Sequence, residues 1–196
     1  MAALDAAYWQ RRYKEGQTGW DVGGITTPLK EYFDQLVDKE VRVLIPGAGN
    51  AYEAAYLHER GFTNVYVLDF AEIPLQNFAR KIPSFPSEHL IREDFFSHAA
   101  TYDLIIEQTF LSAIAPSQRI AYTGKMMDLL EPGGRLVGVL WGVPMRSDAP
   151  PYGGSAEIYR ELFQGFQQEI LEPAYNSIPP RAGAELFIKL RKPLID

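Results

Sequence analysis

VRVLIPGAGNAYEAAYLHERGFTNVYVLDF (residues 41–70) decides the fold. Residues 41–45 are a short apolar, β-rich run of the kind that forms a strand buried on both faces. Pro46-Gly47-Ala48-Gly49 breaks the run, residues 51–60 resume as a helix closed by Gly61, and residues 64–68 form a second strand with Asp69 at its carboxyl end. Strand, glycine turn, helix and a strand ending in an acid make a nucleotide-recognition unit at the edge of a parallel sheet.

Working outward, the pattern continues on both sides. Residues 3–14 can form a helix with Tyr8, Trp9, Arg12 and Tyr13 along one side, and GQTGWDVGGITTP is a turn-rich loop carrying Trp20 and Asp21. Pro28 then opens LKEYFDQLVD, whose Leu29, Tyr32, Phe33 and Leu36 make one apolar helical face. Two readings of the early aromatics stand open: they pack this segment onto the sheet, or they cover a ligand.

Downstream, residues 71–81 suit a helix with Pro74 in its first turn, LIRED a third strand, residues 102–108 a fourth, residues 116–130 a helix, and EPGG a turn into the fifth strand, RLVGVLW. A long proline- and glycine-rich loop, WGVPMRSDAPPYGGS, precedes a helix at residues 157–163, a strand at 167–172, the loop NSIPPRAG and an alternating strand at 185–192. Strands alternating with helices predict a doubly wound α/β sheet. At 196 residues the whole chain, 1–196, fits one domain, with residues 1–36 as an N-terminal helical lid over the site.

Composition narrows the chemistry. Net charge is −6 and no lysine or arginine block forms a nucleic-acid track, so small molecules are the expected partners. The chain has no cysteine, which excludes disulfides and thiolate metal sites. His58, His89 and His98 lack ligand spacing and read as surface or satisfied histidines, so no metal is expected. The N-terminus lacks the order of a signal peptide and no apolar run approaches the ~20 residues of a membrane span, which leads to the expectation of a cytoplasmic protein away from membranes.

In such a sheet the ligand lies beyond the carboxyl ends of the strands. There stand Gly47 and Gly49, Asp69, Asp94 with Phe95 and Phe96, Glu107 with Gln108, and Trp141. The glycines let backbone reach a ligand, Asp69 is placed to accept ribose hydroxyls, and Asp94 and Phe95 suit an adenine amine and ring. A dinucleotide fingerprint asks for Gly or Ala where Tyr52 stands, which disfavours a nicotinamide oxidoreductase and favours a nucleoside without phosphates.

WQRRY, GQTGWD, TPL, VLIPGAGNAYEAAYL, VLDFAE, EDFF, YDLIIEQTFLSAI, LLEPGGRLVGVLW, PPYGGSAEIYRELF and IPPRAG together resemble the thiopurine S-methyltransferase superfamily, which includes the plant halide and thiol methyltransferases. The resemblance runs from about Trp9 to Lys192, and GWDVGGITTP and APPYGG look closer to the plant enzymes. It implies a Rossmann-like class I S-adenosylmethionine-dependent fold of seven mostly parallel strands with an antiparallel last strand.

Carried over by position, the resemblance implies cofactor contacts at Tyr13, Trp20, Gly47, Gly49, Asp69, Asp94, Phe95 and Gln108, with Glu53 at the methionine ammonium end. Gln108 stands where thiopurine enzymes have an arginine and plant enzymes a tyrosine. Trp9, Asp21, Phe110, Trp141 and Tyr152 fall around the acceptor, with Tyr152 and Arg181 as the residues that position it. The implied reaction is in-line methyl transfer to a small soft nucleophile such as a thiol, hydrosulfide, halide or thiocyanate. A thiopurine, selenium or tellurium acceptor is the alternative within the class, and a non-catalytic nucleoside-binding domain the alternative outside it. A monomer is expected.

Overall fold

In the computed structural model, which describes residues 4–146 and 149–194, seven strands form one sheet in the order β3-β2-β1-β4-β5-β7-β6. The strands are β1 (Val43–Pro46), β2 (Val65–Asp69), β3 (Leu90–Arg92), β4 (Tyr102–Gln108), β5 (Leu130–Trp141), β6 (Gln167–Pro173) and β7 (Glu185–Arg191). β3, β2, β1, β4 and β5 pair in parallel, while β7 runs antiparallel to both β5 and β6, as the resemblance implies. From β1 the chain steps outward through β2 and β3, then returns to place β4 and β5 on the other side. The strand order therefore reverses between β1 and β4, and a crevice opens beyond their carboxyl ends.

Alternation within each strand builds a core on each face. Leu44, Ile105, Leu136 and Leu140 join Tyr122, Met126, Tyr159 and Phe163, from α6 (Arg119–Leu129) and the segment at and after α7 (Ala156–Leu162). Val43, Ile45, Leu104, Ile106 and Val137 join residues of α2 (Thr27–Asp34), α3 (Tyr52–Glu59) and α4 (Glu72–Lys81) on the other face. Burial on both faces explains why the central strands read as apolar runs.

α1 (Ala6–Lys14) starts at Asp5, whose carboxylate accepts the Tyr8 amide at 2.8 Å, and it buries no residue of its own. It is tied to α4 by the Gln10 side-chain oxygen, which accepts the Ile73 amide at 2.9 Å. The expected helix start at residue 3 and two residues of the long proline loop, 147 and 148, lie outside the described residues.

Two local readings change. EPGG is a bulge inside β5 rather than a turn before it: Tyr102 pairs with Leu130 and Leu104 with Arg135, so four residues, 131–134, stand opposite the single Asp103. A four-residue helix, α5 (Phe110–Ala113), follows β4 through Thr109 in a left-handed conformation (φ 63°) and has no counterpart in the periodicity reading.

Candidate active site

The crevice is a cavity of about 550 Å³, within the roughly 300–1,000 Å³ of small-molecule sites. Tyr8, Trp9, Arg12 and Tyr13 of α1 and Trp20 of the following loop roof it. Its floor is Gly47, Asp69, Asp94 and Phe95 at the strand ends, and its far wall is Phe110, Trp141, Pro150, Pro151 and Arg181. A smaller annexe of about 60 Å³ lies beside the glycine turn, lined by Asp21, Gly49, Glu53 and Gln108, and shares Trp20, Gly47 and Arg181 with the main cavity.

The glycine turn owes its shape to what approaches it. At Gly47 (φ 57°) a Cβ would stand 2.1 Å from Cδ2 of Phe110, and at Gly49 (φ 53°) one would stand 2.7 Å from the Tyr13 hydroxyl. Only glycine holds a left-handed backbone there and lets both rings in. Asp69 holds the turn from below: its two oxygens accept the Gly49 amide at 3.2 Å and the Ala71 amide at 2.8 Å. Burial still pushes its pKa up to about 6, because desolvation outweighs those bonds.

Glu53 is buried in the annexe, and desolvation pushes it up to about 7 against the opposing charge of Arg181. Asp94 turns one oxygen back to the Phe96 amide at 2.7 Å, while Phe95 packs edge-on to Phe110. Gln108 accepts from the Thr26 hydroxyl at 3.2 Å and faces the annexe.

The roof is an aromatic cluster. Trp20 sits edge-on to both Trp9 (5.4 Å between ring centres) and Tyr13 (5.7 Å). Burial and the nearby Asp69 carboxylate raise the Tyr13 hydroxyl well above its ordinary range, so it stays protonated. Arg181 pins the loop from the other side: its guanidinium donates to the Trp20 carbonyl at 2.7 Å and to Glu185 at 3.2 Å, and lies 5.3 Å from the Trp141 ring centre.

Of the residues singled out in the sequence, Tyr13, Trp20, Gly47, Asp69, Asp94 and Phe95 meet in the main cavity, as do Trp9, Phe110, Trp141 and Arg181. Gly49, Glu53, Gln108 and Asp21 meet in the annexe. Tyr152 is buried outside both linings; its amide donates to the Ser112 carbonyl at 2.7 Å, and it is the neighbouring prolines that face the cavity.

Sequence reasoning missed two contributors. Asn50 donates to Asp21 at 2.6 Å and Tyr52 also hydrogen-bonds Asp21, latching the lid loop to the glycine turn. These partners are about thirty residues apart, and no local pattern announces them. Among the described residues no group of three His, Cys, Asp or Glu is placed to hold a metal ion.

In sequence and in fold the chain is similar to known methyltransferases. The chain is 27% identical to a probable thiol methyltransferase 2 of Arabidopsis thaliana, over 98% of this chain and 88% of that protein. It is 28% identical to thiocyanate methyltransferase 1 of Brassica oleracea, over 94% and 84% respectively. In fold it matches the 1,6-didemethyltoxoflavin-N1-methyltransferase of Burkholderia thailandensis, solved with S-adenosylhomocysteine and 1,6-didemethyltoxoflavin, at a TM-score of 0.78 and 21% identity over 98% of this chain and 92% of that one. The family model for thiopurine S-methyltransferase matches residues 4–185, and the chain belongs to that family.

Proposed function

We propose that this chain transfers a methyl group from S-adenosylmethionine to a small, soft nucleophile, namely a thiol, hydrosulfide, halide or thiocyanate. As a member of its family it is an S-adenosylmethionine-dependent methyltransferase. The observation that carries the narrower reading is the character of the far wall, built from Phe110, Trp141, Pro150, Pro151 and Ile114. Two of its polar groups are already engaged: the Ser112 hydroxyl donates to the Thr109 carbonyl at 2.6 Å, and Arg181 holds Glu185 and the Trp20 carbonyl. A purine would bury several ring nitrogens against a wall with few free partners, at about 1–3 kcal/mol for each left unpaired, whereas a simple thiol has little polar surface to satisfy and a soft, weakly hydrated anion is met by the positive sulfonium of the donor.

The donor fits the residues present. The carboxylate of Asp69 is placed for the ribose, Phe95 and Asp94 for the adenine, and Glu53, Gln108 and Asp21 in the annexe for the methionine end. When bound, S-adenosylmethionine supplies an electrophilic methyl on a sulfonium. Attack by an anion breaks the methyl–sulfur bond as the new bond forms, so no proton has to move. Trp9, Trp20, Phe110 and Trp141 exclude water and would offer ring faces to the sulfonium cation without competing as nucleophiles, and a dry site favours a reaction in which opposite charges neutralise each other. Residues 1–36 then act as the lid of a single domain. The same reading makes the protein a cytoplasmic monomer with no nucleic-acid or membrane partner, and its net charge of −6 disfavours nucleic acid.

Calorimetry with S-adenosylmethionine and S-adenosylhomocysteine tests the donor: micromolar binding is expected, weakened about a hundredfold in Asp69→Ala, as losing hydrogen bonds to a charged group implies. Headspace detection of methyl iodide and methanethiol beside a 6-mercaptopurine assay tests the acceptor. Turnover of the purine alone would refute the small-nucleophile reading.

A further inference from the structure

Behind the far wall, and outside both cavities, lies a buried polar group that neither donor nor acceptor requires. Glu107, at the end of β4, is fully buried. One oxygen accepts the Leu111 amide at 3.0 Å, the Phe110 amide also points to the carboxylate, and the other oxygen accepts the Tyr122 hydroxyl of α6. This carboxylate caps the short helix α5 from within the core and so fixes Phe110, Ser112 and Ala113, which face the cavity.

Arg119, the first residue of α6, is also buried, and its charge opposes that of Glu107. Its two terminal nitrogens donate to the Gly153 carbonyl at 3.0 Å and the Tyr152 carbonyl at 3.1 Å, directly after Pro150 and Pro151 of the wall. Arg119 lies 5.9 Å from the ring centre of Tyr159 in α7, and the Tyr159 hydroxyl donates to the Trp141 carbonyl at 2.8 Å. The three pieces of the far wall come from distant parts of the chain: two bonds fasten α5, two the proline loop and one Trp141. Breaking any of these bonds would leave a further buried polar group unpaired beside the Arg119 Nε, which already lacks a partner, so the bonds favour this wall geometry.

We propose that Glu107, Tyr122, Arg119 and Tyr159 are positioning residues for the methyl acceptor, setting the spacing of Phe110, Trp141 and the prolines without touching donor or acceptor. The proposal rests on the methyl-transfer reading. It extends acceptor selection to residues outside the cavity lining. It also gives Tyr152 a backbone role, as the point where α5 and α6 grip the loop.

The test is Arg119→Lys and Tyr122→Phe, each lacking one bond of the hub, with Glu107→Gln as the conservative variant that keeps both the amide acceptor and a contact to Tyr122. Hydrogen exchange by mass spectrometry is read over residues 110–113 and 150–154, beside donor affinity and acceptor KM. Faster exchange in these segments is expected, with acceptor KM raised about tenfold, donor affinity within about twofold, and Glu107→Gln near wild type. Unchanged exchange overturns the proposal, as does loosening that leaves acceptor KM alone or weakens donor and acceptor equally. Should wild-type protein turn over no acceptor, the methyl-transfer reading falls and with it the acceptor role, while the exchange pattern still decides whether the hub anchors the wall.

Discussion

Gly47 packs directly beneath the ring of Phe110, so closely that a Cβ at Gly47 would fall 2.1 Å from Phe110 Cδ2. Phe110 thereby stands at the junction of the donor turn and the acceptor wall. Gly47→Ala must both strain a left-handed backbone and expel the ring. The expected outcome is a stability loss of about 1–3 kcal/mol and donor affinity reduced more than tenfold. Adding Phe110→Ala relieves the collision but not the strain, so a double-mutant cycle should show partial recovery of donor binding while acceptor turnover stays low. Strictly additive losses would show that the contact does not set the turn.

The proposed place of Glu53 at the methionine ammonium makes donor binding depend on pH. Burial pushes its carboxyl up to about 7, and in that role it would have to be ionised. Donor affinity should therefore rise about tenfold per pH unit up to about pH 7 and then level off. Stability runs the other way. The folded pKa lies above the ordinary value of 4.5, so the folded protein holds this proton more tightly than the unfolded chain does. This contribution is fully present below about pH 4.5 and lost as pH rises through about 7. Glu53→Gln should flatten the donor-affinity profile above about pH 6 and remove one share of the stability profile, with the shares of Asp69 and Glu107 remaining, as measured by calorimetry and thermal melts from pH 5 to 8.

The lid loop is held by Asp21, which accepts from Asn50 at 2.6 Å across the annexe and from its own Gly23 amide at 2.8 Å. The Asn50 bond joins the loop after α1 to the glycine turn, where the proposed donor site lies, and is not part of the main core. Asp21→Ala should raise donor KM about fivefold, the worth of roughly one hydrogen bond, with a melting temperature within a few degrees of wild type. Trp20 fluorescence reports the same loosening. A donor KM that does not move would separate the loop from donor binding.

What could be read in the sequence and what could not follows from the range of the interactions. Gly47, Asp69, Asp94 and Trp141 were legible because they stand at the ends of strands, and strand and helix periods are local properties. Tyr13 and Trp20 were singled out through the resemblance, since the residue pattern alone left them either packing the segment onto the sheet or covering a ligand, and both line the cavity. α5 was not, since four residues carry no period and their amides are capped by Glu107 through tertiary contact. Glu107 itself read as a strand-end site candidate, whereas the structure gives it to the core and turns only its neighbour Gln108 to the annexe. Tyr152 was singled out by its motif, but the backbone around it, not its hydroxyl, meets the acceptor wall.

Arg181 has a structural role, and two substitutions test whether it acts on the acceptor as well. Its guanidinium is 4% exposed and paired with Glu185, itself 3% exposed, while also holding the Trp20 carbonyl. Arg181→Ala alone leaves a buried carboxylate without its cation, which should cost about 3–5 kcal/mol and loosen the lid. Arg181→Met combined with Glu185→Leu replaces the pair by apolar groups of similar volume and should recover most of that stability. If Arg181 also draws the acceptor anion toward the wall, the double variant will melt near wild type yet turn over thiocyanate or hydrosulfide at least tenfold less efficiently, with the loss in acceptor KM. A double variant that regains both stability and turnover would confine Arg181 to holding the lid.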